Sequence, residues 1–168
     1  MSTPMIRAAL IAAFVLVAGT ALLAVRGNET TLAEGRVVLA HLAPVDPRSL
    51  MQGDYMALRY AIDNELPYGA RDGKLSGAYA HLALDGDGRA SLVAIADRLP
   101  EDPALVAMKL RSRGGGFSIG PNGFFFQEGR AANFSLAQWG EFRVDANGKA
   151  LLTHLRGENL QRLGENRR

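Results

Sequence analysis

The chain has 168 residues, 48% of them apolar and 21% charged, which excludes a disordered tail and leaves room for one domain of ordinary size. Nineteen Lys and Arg stand against seventeen Asp and Glu, and all but Arg7 of these charges follow Val25. That near balance excludes a basic patch built for nucleic acid. The lack of cysteine excludes a disulfide scaffold, a thiol nucleophile and a thiolate-ligated zinc site.

A short leader, residues 1–7, contributes Arg7 as its one basic residue. Residues 8–25 (AALIAAFVLVAGTALLAV) then carry no charge. As a helix this run is about 27 Å long, close to the roughly 30 Å hydrocarbon core of a bilayer. Nine of its residues are Leu, Ile, Val or Phe, and together they favour insertion by about 3–5 kcal/mol. No polar face interrupts the run, as one would in a soluble amphipathic helix. It is read as a transmembrane anchor with the bilayer as its first partner. Gly19-Thr20-Ala21 is a passable signal-peptide cleavage site, but four apolar residues, Leu22 to Val25, follow it. Retention is therefore the reading, with a secreted domain cleaved after Ala21 as the alternative. The default for such an anchor leaves the leader inside and exports the rest. Ala8/Ala12, Ala9/Ala13 and Thr20/Ala24 form small-residue pairs that suit helix packing.

Residues 26–35 (RGNETTLAEG) read as a polar spacer. From Arg36 the periodicity becomes strand-like. Residues 36–43 (RVVLAHLA) are apolar on both faces, as in a central strand. Residues 55–62 alternate, with Met56, Leu58, Tyr60 and Ile62 on the core side. Residues 77–85 and 89–97 flank Gly86-Asp87-Gly88 and predict a β-hairpin. The start of a calcium loop is visible in Asp85 to Gly88, but the later ligands of such a loop are missing. Leu99 to Pro103 is a loop, and residues 105–111 a strand. The Gly114-Gly115-Gly116 run lacks the Lys-Ser/Thr of a phosphate cradle and reads as a turn.

Phe124 to Phe126 predict a short buried strand, Glu128-Gly129 a turn and residues 130–139 a short helix. Residues 140–155 form a second hairpin, with Asn147-Gly148 as a type I′ turn signal. The tail, residues 157–168, is polar and basic and is expected to fray. No internal repeat is visible. Six to eight short strands and one brief helix over residues 36–156 make a mainly β domain: a small barrel or two packed antiparallel sheets.

Gly53-Asp54-Tyr55-Met56-Ala57-Leu58-Arg59-Tyr60 spells G-D-Y-x-x-L-x-Y. Pro44-Val45-Asp46-Pro47-Arg48 precedes it, Phe126-Gln127-Glu128-Gly129-Arg130-Ala131 follows, and Val144-Asp145, Asn147-Gly148 and Ala150 close the series. On these motifs residues 34–155 resemble the GDYXXLXY family. The resemblance implies a membrane-anchored bacterial protein of a kind often encoded beside, or fused to, multispanning membrane proteins. It assigns no reaction and no cofactor. Leu50-Met51-Gln52-Gly53-Asp54 is also similar to the L-x-x-G-D segment of signal peptidases. Their nucleophilic serine would fall on Val45 or Pro44, and neither can attack a carbonyl. Only Lys74, Lys109 and Lys149 are present to act as a base.

Two accounts of the motif follow. In the structural one, Asp46, Pro47 and Gly53 shape turns, as the carboxylate of Asp54 also can. In the functional one, Arg48, Asp54, Tyr55, Glu128 and Arg130 gather at a loop edge to bind a peptide, a cation or a partner's loop. His41, His81 and His154 lie in separate predicted strands and read as sheet residues, not metal ligands. Trp139 is expected to pack against the final hairpin. The function expected is a non-catalytic accessory or binding module, tethered at the outer face of the inner membrane and acting with a multispanning partner. A signal-peptidase-like hydrolase using a carboxylate pair is the alternative.

Overall fold

A computed structural model describes residues 3–43, 51–52, 55–66, 79–113 and 116–164. Helix α1, Thr3–Glu34, carries the apolar run, and its stretch Ala9–Glu34 is long and apolar enough to cross a membrane, with none of its apolar window buried in the protein. The expected spacer is helical rather than a stalk. Its last turns lie against the body of the protein: Thr31 is 1% exposed, and its hydroxyl donates to the Gly27 carbonyl and to Asp145 Oδ2. Gly35 ends the helix. A Cβ there would collide with the Thr31 carbonyl oxygen and lie 3.0 Å from the Val144 nitrogen. Only glycine allows helix and strand to meet this closely.

The rest is mainly β. Strands β1 (Arg36–His41), β10 (Trp139–Val144) and β11 (Ala150–Arg156) form one antiparallel sheet in the order β1-β10-β11. Strands β4 (Tyr79–Leu84), β5 (Ala90–Ala96) and β6 (Val106–Lys109) form a second, ordered β5-β4-β6. A smaller sheet holds β2 (Met51–Gln52), β3 (Tyr55–Ala57) and β9 (Gly123–Phe125) in the order β2-β3-β9. Strands β7 (Arg111–Arg113) and β8 (Gly116–Ser118) pair as a two-stranded antiparallel ribbon. These are packed antiparallel sheets, the second of the two expected architectures, and not a closed barrel.

Both predicted hairpins are present, and they repeat each other. Strand β10 begins 60 residues after β4, and β11 begins 60 residues after β5. The absence of a visible repeat in the sequence is therefore corrected by the fold. In each hairpin an aspartate closes the turn in the same way. Asp85 Oδ1 accepts from the N–H groups of Asp87 and Arg89, and Asp145 Oδ1 accepts from those of Asn147 and Lys149. Gly88 and Gly148 take φ of 84° and 79°. Asn147 does not share the positive φ, so the expected type I′ turn is replaced by a type I turn followed by a left-handed glycine. A bulge falls at the same place in both, between His81 and Leu82 and between Glu141 and Phe142. The sheets are also tied crosswise: Leu39 N–H of β1 donates to the Gly88 carbonyl, and Lys109 N–H of β6 donates to that of Gly148, each at 2.8 Å.

Strand β3 ends at Ala57, and residues Ala61–Glu65 form a short helix, α2, where a continuous strand was expected. The predicted inward set is nonetheless buried: Met56 at 6%, Leu58 at 1%, Tyr60 at 0% and Ile62 at 2% exposure. The chain turns into α2 because Asp63 is fastened across the core. Its carboxylate accepts from the Ser118 hydroxyl at 2.6 Å and the Ile119 N–H at 3.1 Å. The phenylalanine run is less buried than expected. Phe124 and Phe126 pack on Phe134, with centroids 5.3 and 5.0 Å away, but Phe125 is 78% exposed. The predicted helix over 130–139 shrinks to a 3₁₀ turn, Ala131–Phe134, because Trp139 already belongs to β10. The Trp139 ring meets His41 edge-on at 4.8 Å, with the Arg89 guanidinium 5.5 Å from its centroid.

Up to residue 164 the tail does not fray. Gly157 N–H donates to Gln161, Leu163 N–H donates to the Leu155 carbonyl, and Arg162 bridges to Arg156 across the returning chain. Leu160 sits at a φ of 59°, a left-handed conformation that non-glycine residues reach only at a cost of about 1–2 kcal/mol. Its carbonyl is held by Arg156 Nη1 at 2.7 Å.

Candidate functional site

The antiparallel register of β3 and β9 sets Tyr55 opposite Phe125, their ring centroids 5.7 Å apart. Two of the family-like segments are thereby joined, since Glu128 and Arg130 lie just beyond Phe125. A Cβ at Gly123 would lie 3.4 Å from the Tyr55 ring, an ordinary contact, so the pairing does not depend on glycine there. Glu128 is exposed at the turn made by Gly129, whose φ is 78°. Arg130 is half-buried, and its guanidinium donates to the Gly164 carbonyl at 3.4 Å. Among the described residues neither Glu128 nor Arg130 forms an ion pair. Asp46, Pro47, Arg48, Gly53 and Asp54 lie outside the described residues.

The second half of the motif is core. The Tyr60 hydroxyl donates to the Pro121 carbonyl at 3.0 Å, and its ring packs on Phe142 at 5.5 Å. A Cβ at Gly120 would fall 2.7 Å from both rings. Beside the motif, a groove of about 370 Å³ runs between His41, Met56, Arg59, Ser135 and Gln138. It lies at the end of β1 away from α1, roughly 17 Å along the strand.

The sequence reading missed a charge cluster on the second hairpin. Glu141, at the β10 bulge, is 0% exposed. Arg156 Nε donates to its Oε2 at 2.6 Å, Arg162 Nη2 to its Oε1 at 2.8 Å, and His154 Nδ1 lies 3.6 Å from Oε1. Burial pushes the Glu141 carboxyl upward. The hydrogen bonds and charges of Arg162 and Arg156 together outweigh that push and hold it below the usual carboxylate range. A carboxylate pinned in its anionic form is a poor proton donor, so the cluster fastens the returning tail to the sheet. At the equivalent position of the first hairpin, His81 is 9% exposed and its Nε2 pairs with the Arg98 carbonyl at 2.9 Å. Among the described residues no three potential ligands converge on a metal position.

The helix–domain junction is the other built feature. Arg143 Nη1 donates to the Gly35 carbonyl at 3.0 Å, beside the contact between Thr31 and Asp145. A cleft of about 820 Å³ opens there between α1, the loop around Pro100 and the turn that follows Val144.

No curated protein and no solved structure matches the chain. A family model described as GDYXXLXY protein matches residues 17–155, from the middle of the apolar helix to the penultimate residues of the last strand. The match takes in the motif strand, its partner strand and both hairpins, and the chain belongs to the GDYXXLXY protein family.

Proposed function

We propose that the chain is a non-catalytic binding module. One uncleaved span holds it at the outer, periplasmic face of a bacterial inner membrane, where it serves a multispanning membrane partner. The observation that carries this reading is the docked end of α1. A flexible stalk lets a domain tumble. Here the helix runs without a break from the apolar span to Glu34 and is fastened through Thr31 and Gly35 to the second hairpin. The span therefore dictates which faces of the domain look along the membrane and which look away. The groove that adjoins Tyr55 and the exposed Phe125 opens beside His41, at the end of β1 away from α1. A large exposed aromatic side chain beside a groove suits a protein contact.

The test is isolation of the full chain from its native membranes in mild detergent. A multispanning protein should accompany the wild type and be lost with Phe125→Ala, while the melting temperature of the variant stays within a degree or two. Recovery of the chain alone, or equal recovery with both forms, sinks the reading. Orientation is checked with Ser91→Cys, the only thiol in that variant. A membrane-impermeant maleimide should label it in intact spheroplasts.

A further inference from the structure

Met56, Leu58 and Tyr60 of the motif point into the core, so alternation turns Tyr55, Ala57 and Arg59 outward as one row. The chain stays extended through Tyr60, whose φ and ψ are −111° and 138°. The Ala43 N–H donates to the Arg59 carbonyl, which fixes the row beside the end of β1. Tyr55 and Arg59 therefore stand about 13 Å apart. One end of the row carries the Tyr55–Phe125 pair, and the other reaches the groove beside His41, which Ala57 and Arg59 both line. Arg59 is exposed. Arg111, Arg130 and Arg143 donate to carbonyl groups, while Arg89, Arg156 and Arg162 pair with carboxylates. Among the described residues the Arg59 side chain forms no hydrogen bond and no ion pair, and no Asp or Glu lines its groove. The side-chain amide of Gln138, on the same groove, is likewise without a partner among them.

We infer that this row receives an extended segment of the protein partner, with an apolar side chain against Tyr55 and Phe125 and, four residues along, a carboxylate on Arg59. The inference rests on the reading of the chain as a binding module and adds what its partner must carry. Charge selects the occupant. A guanidinium with no acid of its own attracts an anion, and a protein segment supplies a carboxylate, which the planar fork binds through two parallel N–H groups. Spacing selects the form. Four residues of extended chain cover about 13 Å, the length of the row, whereas four residues of helix rise only about 6 Å. At about 370 Å³ the groove has room for a few side chains and not for a whole helix. Strand β3 is already paired on both edges, with β2 and β9, so the segment is recognised by its side chains. Gln138 is left to hydrogen-bond its main chain.

Arg59→Lys keeps the positive charge and brings an amine, which a water-soluble carbodiimide couples, with loss of water, to a carboxylate in contact with it. Native membranes holding the full chain are treated, with the wild type and its Lys74, Lys109 and Lys149 as background. Arg59→Lys should form an adduct with a multispanning protein at least tenfold more than the wild type does, and Phe125→Ala in the same chain should cut it at least fivefold. Mass spectrometry should place the new link on an Asp, a Glu or a C-terminal carboxylate with an apolar residue four positions away, and it tells these sources apart. Arg59→Glu should lower the co-isolated protein at least tenfold with the melting temperature unchanged, since that side chain has no bond to lose. No link specific to Arg59→Lys, a link to the chain's own carboxylates alone, or a linked carboxylate without the apolar residue overturns the inference. The binding-module reading survives that failure if the wild type still retains a multispanning protein that Phe125→Ala loses. A link of the expected kind to a protein that does not span the membrane keeps the inference and overturns the reading.

Discussion

The two hairpins share a backbone and differ in what they are wired to. β4–β5 and β10–β11 have the same strand lengths, the same aspartate-closed turn, the same left-handed glycine and the same bulge. At the bulge, one places a histidine that needs a single carbonyl. The other places a fully buried carboxylate that needs two arginines. At the turn, among the described residues, Asp85 pairs with its own loop and Arg89, whereas Asp145 also receives the Thr31 hydroxyl from the end of α1. The shape of a hairpin is thus set by a few residues around Asp-x-x-Gly. Its connection to the tail is set by a substitution on the strand that leaves the shape alone, and its connection to α1 by Arg143 on the strand together with an aspartate that both turns share.

The sharpest way to break this pairing is at the bulge. Glu141→Ala strands two guanidiniums whose side chains remain 22% and 35% exposed, so the cost falls below that of a wholly buried pair, at about 2–3 kcal/mol. His81→Leu leaves one carbonyl short of a donor and should cost about 1 kcal/mol. Unfolding of the full chain in detergent micelles checks both. Glu141→Ala should in addition speed trypsin cleavage after Arg162, because the tail loses its anchor. Equal costs at the two bulges would mean that the charge cluster contributes nothing beyond a hydrogen bond.

A smaller difference is expected at the turn glycines. Gly88→Ala and Gly148→Ala both force a side chain into the left-handed region, at about 1–2 kcal/mol. Around Gly88 the nearest atom to a new Cβ is the Val37 carbonyl oxygen at 3.6 Å, an ordinary contact. Around Gly148 the Tyr79 ring stands at 2.9 Å and the Ala107 carbonyl oxygen at 3.3 Å. The second hairpin should therefore lose more, by about 1 kcal/mol, on the scale of an overpacked core site. Melting curves of the two variants that coincide would show that Tyr79 yields freely.

What could be read in advance follows from the range of the interactions. The turns were legible because their hydrogen bonds close within four residues. Leu58 and Tyr60 were placed in the core by alternation, although the strand stops at Ala57, because extended chain keeps the same sidedness. Glu141 was not legible: its partners lie 15 and 21 residues ahead, and an acid in an alternating strand reads as outward-facing. The repeat was hidden because the shared residues are few, chiefly Asp, Gly, Ala and Leu at matching places, while tyrosine became tryptophan and histidine became glutamate. The helical spacer depended on Thr31 meeting a residue 114 positions away. Of the candidate site, the motif was legible, but not the register that sets Tyr55 against Phe125.

The mildest expected effect at neutral pH also separates the hairpins. The Glu141 carboxyl is held below its ordinary value of 4.5 in the folded chain, so the folded form binds a proton less readily than the unfolded one. Acid therefore favours unfolding at this group. Its contribution is intact above the unfolded value and drains away as pH falls through the folded one. Between pH 8 and 6 the difference in stability between wild type and Glu141→Gln should stay flat. Below about pH 4.5 the wild type should lose that advantage progressively, as a carboxylate held below its usual range does. A Glu141→Gln curve that runs parallel to wild type down to pH 3 would mean that the two arginines hold the tail without drawing on the charge of Glu141.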